Sequence, residues 1–287
     1  MKTLLTATVL VNVLLAAPAA TTINATNKNA YSANLGWLDW RGDTNKGAVI
    51  GEYGCSGFLY AANVGWIHLG SGDPADGLRY QNLSGSDFGV NQDGLGNLRG
   101  YAYGANIGWI NFENTGAPRV DLKTGTLGGY IYSANCGWIS VSNGLAQVQT
   151  DTIANGADTD GDGITDAWEL SYTNTLSAFT VSSDTDGDGL SDQSEYFADT
   201  NPTNSADKLV ITEYLTSPGG TLATLTWPSK LTRCYQIEKT LDFATPLWLD
   251  SGLGLIAPDD VTTTRMFPDT NAPARFYRLK ALKPLAP

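Results

Sequence analysis

The chain has 287 residues, 42% of them hydrophobic and 10% aromatic, which is too long for one ordinary domain and too apolar for general disorder. Its net charge of −12 is concentrated: residues 151–207 carry 13 acidic and no basic side chains. No basic patch stands out, which excludes nucleic acid as a natural partner. The single histidine, His68, leaves no material for His-bearing triads or H-E-x-x-H zinc sites.

The first element is not part of the fold. Lys2 supplies a positive start, Leu4 to Ala16 is almost wholly apolar, and Ala17-Pro18-Ala19 gives a small-x-small cleavage pattern. Residues 1–20 therefore read as a secretory signal peptide, too short for a membrane span. No later stretch is long and apolar enough for a transmembrane anchor, so a secreted, extracellular or cell-surface protein is expected.

Residues 21–149 contain an internal repeat of four copies. Three match over twelve positions: Cys55 to Trp66, Leu98 to Trp109 and Leu127 to Trp138. The fourth, Tyr31 to Trp37, keeps only the second half, as a terminal capping repeat would. Alternating small and aromatic residues predict a strand, Ala-Asn-x-Gly a turn through positive φ at Asn and Gly, and Trp-Ile-x-apolar a second strand. A further short strand precedes each full copy, as in Arg119–Lys123, giving about three antiparallel strands per repeat. Solenoid, prism and closed ring all remain open.

The alignment places Cys55 and Cys136 in apolar slots held elsewhere by Leu, Val or Ile. Two small buried hydrophobes are favoured over a Cys55–Cys136 disulfide. Cys234 falls in a later predicted strand as a buried thiol.

Each copy also brings a tryptophan: Trp37, Trp66, Trp109 and Trp138. Period-two alternation puts each on one face with Asp39, His68, Asn111 or Ser140, and the intervening Leu or Ile on the other. Two readings follow. The tryptophans fill the repeat core, or they form a ligand face that stacks on sugar rings.

The acidic segment holds the strongest chemical signal, and it is duplicated. One loop runs Asp158, Asp160, Asp162, Ile164, Asp166, Glu169; the other runs Asp184, Asp186, Asp188, Leu190, Asp192, Glu195. Oxygen ligands at positions 1, 3, 5, 9 and 12, a backbone carbonyl at 7 and Gly163 or Gly189 at 6 match an EF-hand-like Ca²⁺ loop. A hard cation needs six to eight oxygens, and a short peptide supplies them only by coiling around it. Two Ca²⁺ ions are expected, with short helices at 165–172 and 193–198.

Residues 208–287 predict six short strands, at 208–215, 222–227, 234–239, 248–249, 262–266 and 275–282, as a small β-sandwich.

The loops, followed by Glu195-Tyr196 and Asp199 to Pro202, resemble bacterial thrombospondin type 3 repeats over about 158–207. That resemblance implies Ca²⁺ binding by the named aspartates and glutamates, without the cysteines of the animal repeats. The tryptophan copies are similar to repeats of bacterial surface proteins. The pattern Leu225 to Pro228, Tyr235 to Glu238, Trp248 and Arg275 to Arg278 is similar to a C-terminal β domain of secreted bacterial proteins.

The expected molecule is thus mainly β and multidomain: an antiparallel β-repeat domain at 21–149, a calcium-loop segment with short helices at 150–207, and a small β-sandwich at 208–287. The expected function is non-catalytic calcium binding, with surface or matrix attachment or binding to a polysaccharide. The alternatives are a purely structural envelope component and a glycoside hydrolase drawing on Asp39, Asp73, Asp87, Glu113 or Asp121.

Overall fold

The computed structural model describes residues 21–43, 45–269 and 276–287. The expected signal segment and Arg275 of the expected last strand lie outside these residues. The fold is mainly β, built from antiparallel sheets with two short helices.

Each repeat copy is a β-hairpin. Ile23–Ser32 pairs with Gly36–Asp39, Phe58–Ala61 with Gly65–His68, Leu98–Gly104 with Gly108–Asn111, and Tyr130–Ser133 with Gly137–Ser140. The connection is a turn closed by a backbone bond, such as Val64 N–H to the Ala61 carbonyl at 3.1 Å, followed by a left-handed glycine. That glycine is Gly36, Gly65, Gly108 or Gly137, with φ between 71° and 79°. A three-residue hairpin loop calls for this conformation. Of the Asn and Gly in each turn, only the glycine adopts positive φ.

The hairpins then pair with one another in chain order, and the last returns to the first through Tyr31 opposite Ser140. The result is a closed eight-stranded barrel. Closure leaves no edge among the eight strands, and this size leaves an interior that side chains can just fill. Leu38, Ile67, Ile110 and Ile139 supply its large layer, with Ala30, Leu59, Ala102 and Ile131 beside them, all fully buried.

The asparagine of each turn has a different task from the one expected. Asn63 Nδ2 donates to the Leu35 carbonyl at 3.0 Å, Asn106 to Val64 at 3.0 Å, and Asn135 to Ile107 at 2.9 Å. Asn34 donates to Cys136 at 2.9 Å and completes the circle. Each copy is clipped to the one before it by the same bond.

A ring has no outermost repeat, which corrects the capping interpretation of the first copy. The strand that copy lacks comes from the other end of the domain, where Gln147–Thr150 pairs with Ile23–Ser32. Cys136 sits with Leu35 and Ile107 in the core at the turn end, and Cys55 is buried; both are free thiols, as is Cys234. Burial pushes the Cys55 thiol up to about 12.

Residues 208–287 form two three-stranded sheets. Leu222–Pro228 lies between Glu213–Thr216 and Thr262–Pro268, and Cys234–Thr240 lies between Leu249–Asp250 and Phe276–Leu282. Ala223, Leu225, Trp227, Tyr235, Ile237 and Phe267 form their shared core. The first strand begins at Glu213, five residues later than expected. No helix among the described residues is long and apolar enough to cross a membrane.

Candidate metal centre

The acidic segment has its own small core. Ile164, Trp168, Phe179 and Tyr196 cluster there, with Tyr53 from the barrel and Tyr172 against them. Trp168 is the hub, its ring centroid 5.5 Å from both Phe179 and Tyr196 and 5.0 Å from Tyr172. Ile164, at position 7 of the first loop, therefore anchors that loop by its side chain. Helix α1 (Asp166–Leu170) and helix α2 (Asp192–Ala198) follow the two loops, close to the expected spans.

In each loop, carboxylate oxygens of positions 1, 3 and 5 converge. Those of Asp158, Asp160 and Asp162 lie within 4.8 Å of one another, as do those of Asp184, Asp186 and Asp188. Position 1 holds the turn: Asp158 accepts from Gly161 N–H at 2.8 Å and from Gly163 N–H at 3.0 Å. Asp184 does the same for Gly187 and Gly189, both at 2.9 Å. Gly161, Gly163, Gly187 and Gly189 all take positive φ, so the chain can coil with its N–H groups inward.

Position 12 arrives on the helix. Glu169 is fully buried, and neither of its oxygens has a hydrogen-bond partner among the described residues. Burial, with Asp160 and Asp162 next in effect, pushes its carboxyl up to about 8. Glu195 is equally buried; one oxygen accepts from Thr200 at 3.1 Å and the other has no partner. Burial raises it to about 7. Asp162, Asp186 and Asp188 each hold one further buried oxygen without a hydrogen bond, that of Asp188 lying 3.9 Å from the Lys208 ammonium. Orphaned buried carboxylate oxygens are costly unless a cation satisfies them, and hard oxygen donors in this number suit Ca²⁺. The residues present therefore fit the ion.

Position 9 is built differently. Asp166 accepts from the backbone N–H of Thr159 at 2.7 Å and from its hydroxyl. Asp192 accepts from Thr185 N–H at 3.0 Å and hydroxyl at 2.9 Å, and from the Ser183 hydroxyl at 2.6 Å. These aspartates brace the loop from behind, and neither joins the converging trio. Thr159 and Thr185 went unassigned in the sequence, although both stand at position 2, seven residues before their aspartate.

Residues 158–175 and 184–205 match the family model of the bacterial TSP3 repeat. The chain carries two bacterial TSP3 repeats. TSP3 repeats are of a calcium-binding, non-catalytic type. No curated protein and no solved structure matches the chain.

The second TSP3 repeat ends at a charged junction between barrel and sandwich. Arg233, from the sandwich, donates from Nε to the Phe197 carbonyl at 2.9 Å and from a terminal nitrogen to Tyr196 at 3.0 Å. It thereby caps the C-terminal carbonyls of α2. Lys283 lies over the Tyr196 ring at 4.0 Å and pairs with Glu52 of the barrel at 2.8 Å.

The four tryptophans of the candidate ligand face are not core. They stand outside the barrel, 46 to 52% exposed, each packed on the tyrosine opposite at 4.8 to 5.1 Å between ring centroids. Strand alternation alone placed them there, because the neighbouring Leu or Ile fills the interior. Of the carboxylates available to a hydrolase, Asp39 pairs with Lys28 at 2.7 Å. Asp87 accepts from Gln81 and Ala75 N–H, and Asp121 from Lys123 and Thr124 N–H.

Proposed function

We propose that this is a secreted, non-catalytic calcium-binding protein. Two Ca²⁺ ions, one in each TSP3 loop, set the orientation of the barrel and the sandwich, and the barrel attaches to a surface or matrix through its outward aromatic belt. One observation carries the calcium assignment: Glu169 is buried beside three aspartates with both oxygens unpartnered. Asp158, Asp160, Asp162 and Glu169, with the Ile164 carbonyl, would hold the first ion. Asp184, Asp186, Asp188 and Glu195, with the Leu190 carbonyl, would hold the second. Each ion offsets the repulsion of its carboxylates and ties a loop to its helix.

The contacts of Arg233 and Lys283 support a role in orientation. Glu195 precedes Tyr196 directly, and the Tyr196 carbonyl accepts from Arg233. Fixing Glu195 fixes the end of α2, where barrel and sandwich meet. Calorimetric titration of chelated protein should return two Ca²⁺ per chain, with protease resistance gained on loading. Absence of uptake at millimolar calcium rules the proposal out.

A further inference from the structure

Three concavities on the outside of the barrel are each built around one repeat tryptophan. Trp37 shares its hollow with Thr26, Asn27, Asn29 and Gln147. Trp109 shares its own with Asn82, Ser84, Phe88 and Tyr101. Trp138 shares the third with Asn111, Glu113, Thr115 and Tyr132. Register builds the third hollow: Tyr132 faces Trp138 of its own copy on one side and Asn111 of the previous copy on the other. The first draws its polar groups from the strand Ile23–Ser32 and from Gln147, and the second from residues 82–88.

We infer that these hollows are three carbohydrate subsites for neutral pyranosides, which makes the barrel a multivalent glycan-binding module. This rests on the reading of the barrel as the attachment unit. The apolar face of a pyranose ring stacks on a half-exposed indole, and the hydroxyls around its rim need donors and acceptors close to that platform. Asparagine and glutamine amides provide both, and serine and threonine hydroxyls provide more. None of the side chains lining the three hollows is cationic, and Glu113 in the third is acidic. Sulfated and uronic-acid polymers are therefore the wrong ligands.

Neighbouring tryptophans lie two strands apart, about 10 Å along the sheet, on a surface that curves away between them. One rigid chain cannot lie flat on all three platforms. Each subsite takes a separate segment, and affinity for a polymer arises by avidity. The copy that ends in Trp66 is the internal control. The ring beside Trp66 is Phe58, stacked on His68 with centroids 4.6 Å apart, whereas Tyr101 and Tyr130 hold the same place beside Trp109 and Trp138 at 6.1 and 6.4 Å, so Trp66 lacks that hydroxyl.

The test uses the full, calcium-loaded chain, with immobilised β-1,4-linked glucose, N-acetylglucosamine and xylose hexaoses as probes and heparin as the anionic control. Retention on at least one neutral probe and none on heparin is expected. Trp37→Ala, Trp109→Ala and Trp138→Ala should each weaken retention, and the triple variant should lose about 100-fold or more of the avidity. Trp66→Ala should leave it unchanged, and Trp109→Tyr, which keeps a ring, should restore part of what Trp109→Ala loses. Barrel integrity is read from near-ultraviolet circular dichroism, and calcium stoichiometry is measured on the same preparations, so failed metal loading and failed sugar binding are told apart. Failure of every neutral probe overturns the inference. So does equal loss with Trp66→Ala, or retention on heparin alone.

Discussion

The side-chain amide of Asn34 donates to the carbonyl of Cys136, 102 residues further along the chain, at 2.9 Å. The other three copies make the same bond to the copy before them, so this one reinforces the closure that strand pairing makes at Tyr31 and Ser140. An amide–carbonyl bond contributes about 1 kcal/mol net. Asn34→Ala and Asn106→Ala should each destabilise the barrel by about 1 kcal/mol, seen as a lower urea midpoint with an unchanged slope. Equal costs at the two positions would establish that the first copy is a full member of the ring.

Glu169→Gln should act with opposite signs on the two forms of the protein. In chelator above pH 8, where this carboxyl is ionised, it removes an unpaired buried charge and should raise the melting temperature. With calcium it removes the chelating group of the first loop and should lower the stoichiometry from two ions to one. Scanning calorimetry on both forms checks the sign; the same shift in both would contradict the site.

Calcium binding should release protons. Burial holds Glu169 at about 8 and Glu195 at about 7, above the usual carboxylate value of 4.5. In the chelated protein these groups contribute stability that is complete below 4.5 and is lost as pH rises through 7 and 8. In the loaded protein the sign reverses, because the ion needs both carboxylates ionised. Affinity should fall as pH drops from 8 toward 6, and titration heats should depend on the ionisation enthalpy of the buffer.

Arg233→Met should loosen the second site more than the first. Arg233 is 5% exposed and holds the last carbonyls of α2, directly after Glu195. Losing two hydrogen bonds from a buried guanidinium costs about 3 kcal/mol. The expected outcome is weaker binding of one ion of the two, together with protease cleavage between residues 199 and 212. Unaltered affinity at both sites would remove the proposed coupling between metal and junction.

Much of the chemistry was legible in local pattern. The spacing of Asp158, Asp160, Asp162 and Glu169 determines a coil of oxygens whatever surrounds it, because alternate side chains and a left-handed glycine act over a few residues. Period two likewise sent Trp37, Trp66, Trp109 and Trp138 to the face opposite Leu38, Ile67, Ile110 and Ile139, and the barrel keeps that division. What the chain alone left open was everything that depends on partners distant in sequence. Tyr31 opposite Ser140, Gln147–Thr150 completing the first copy, and Asn34 reaching Cys136 exist only once the sheet closes. Closure is a condition on all eight strands together, and no single repeat encodes it. Position 9 follows the same logic: an aspartate offers the same oxygens in any sequence, and only the folded loop decides that Thr159 and Thr185 take them.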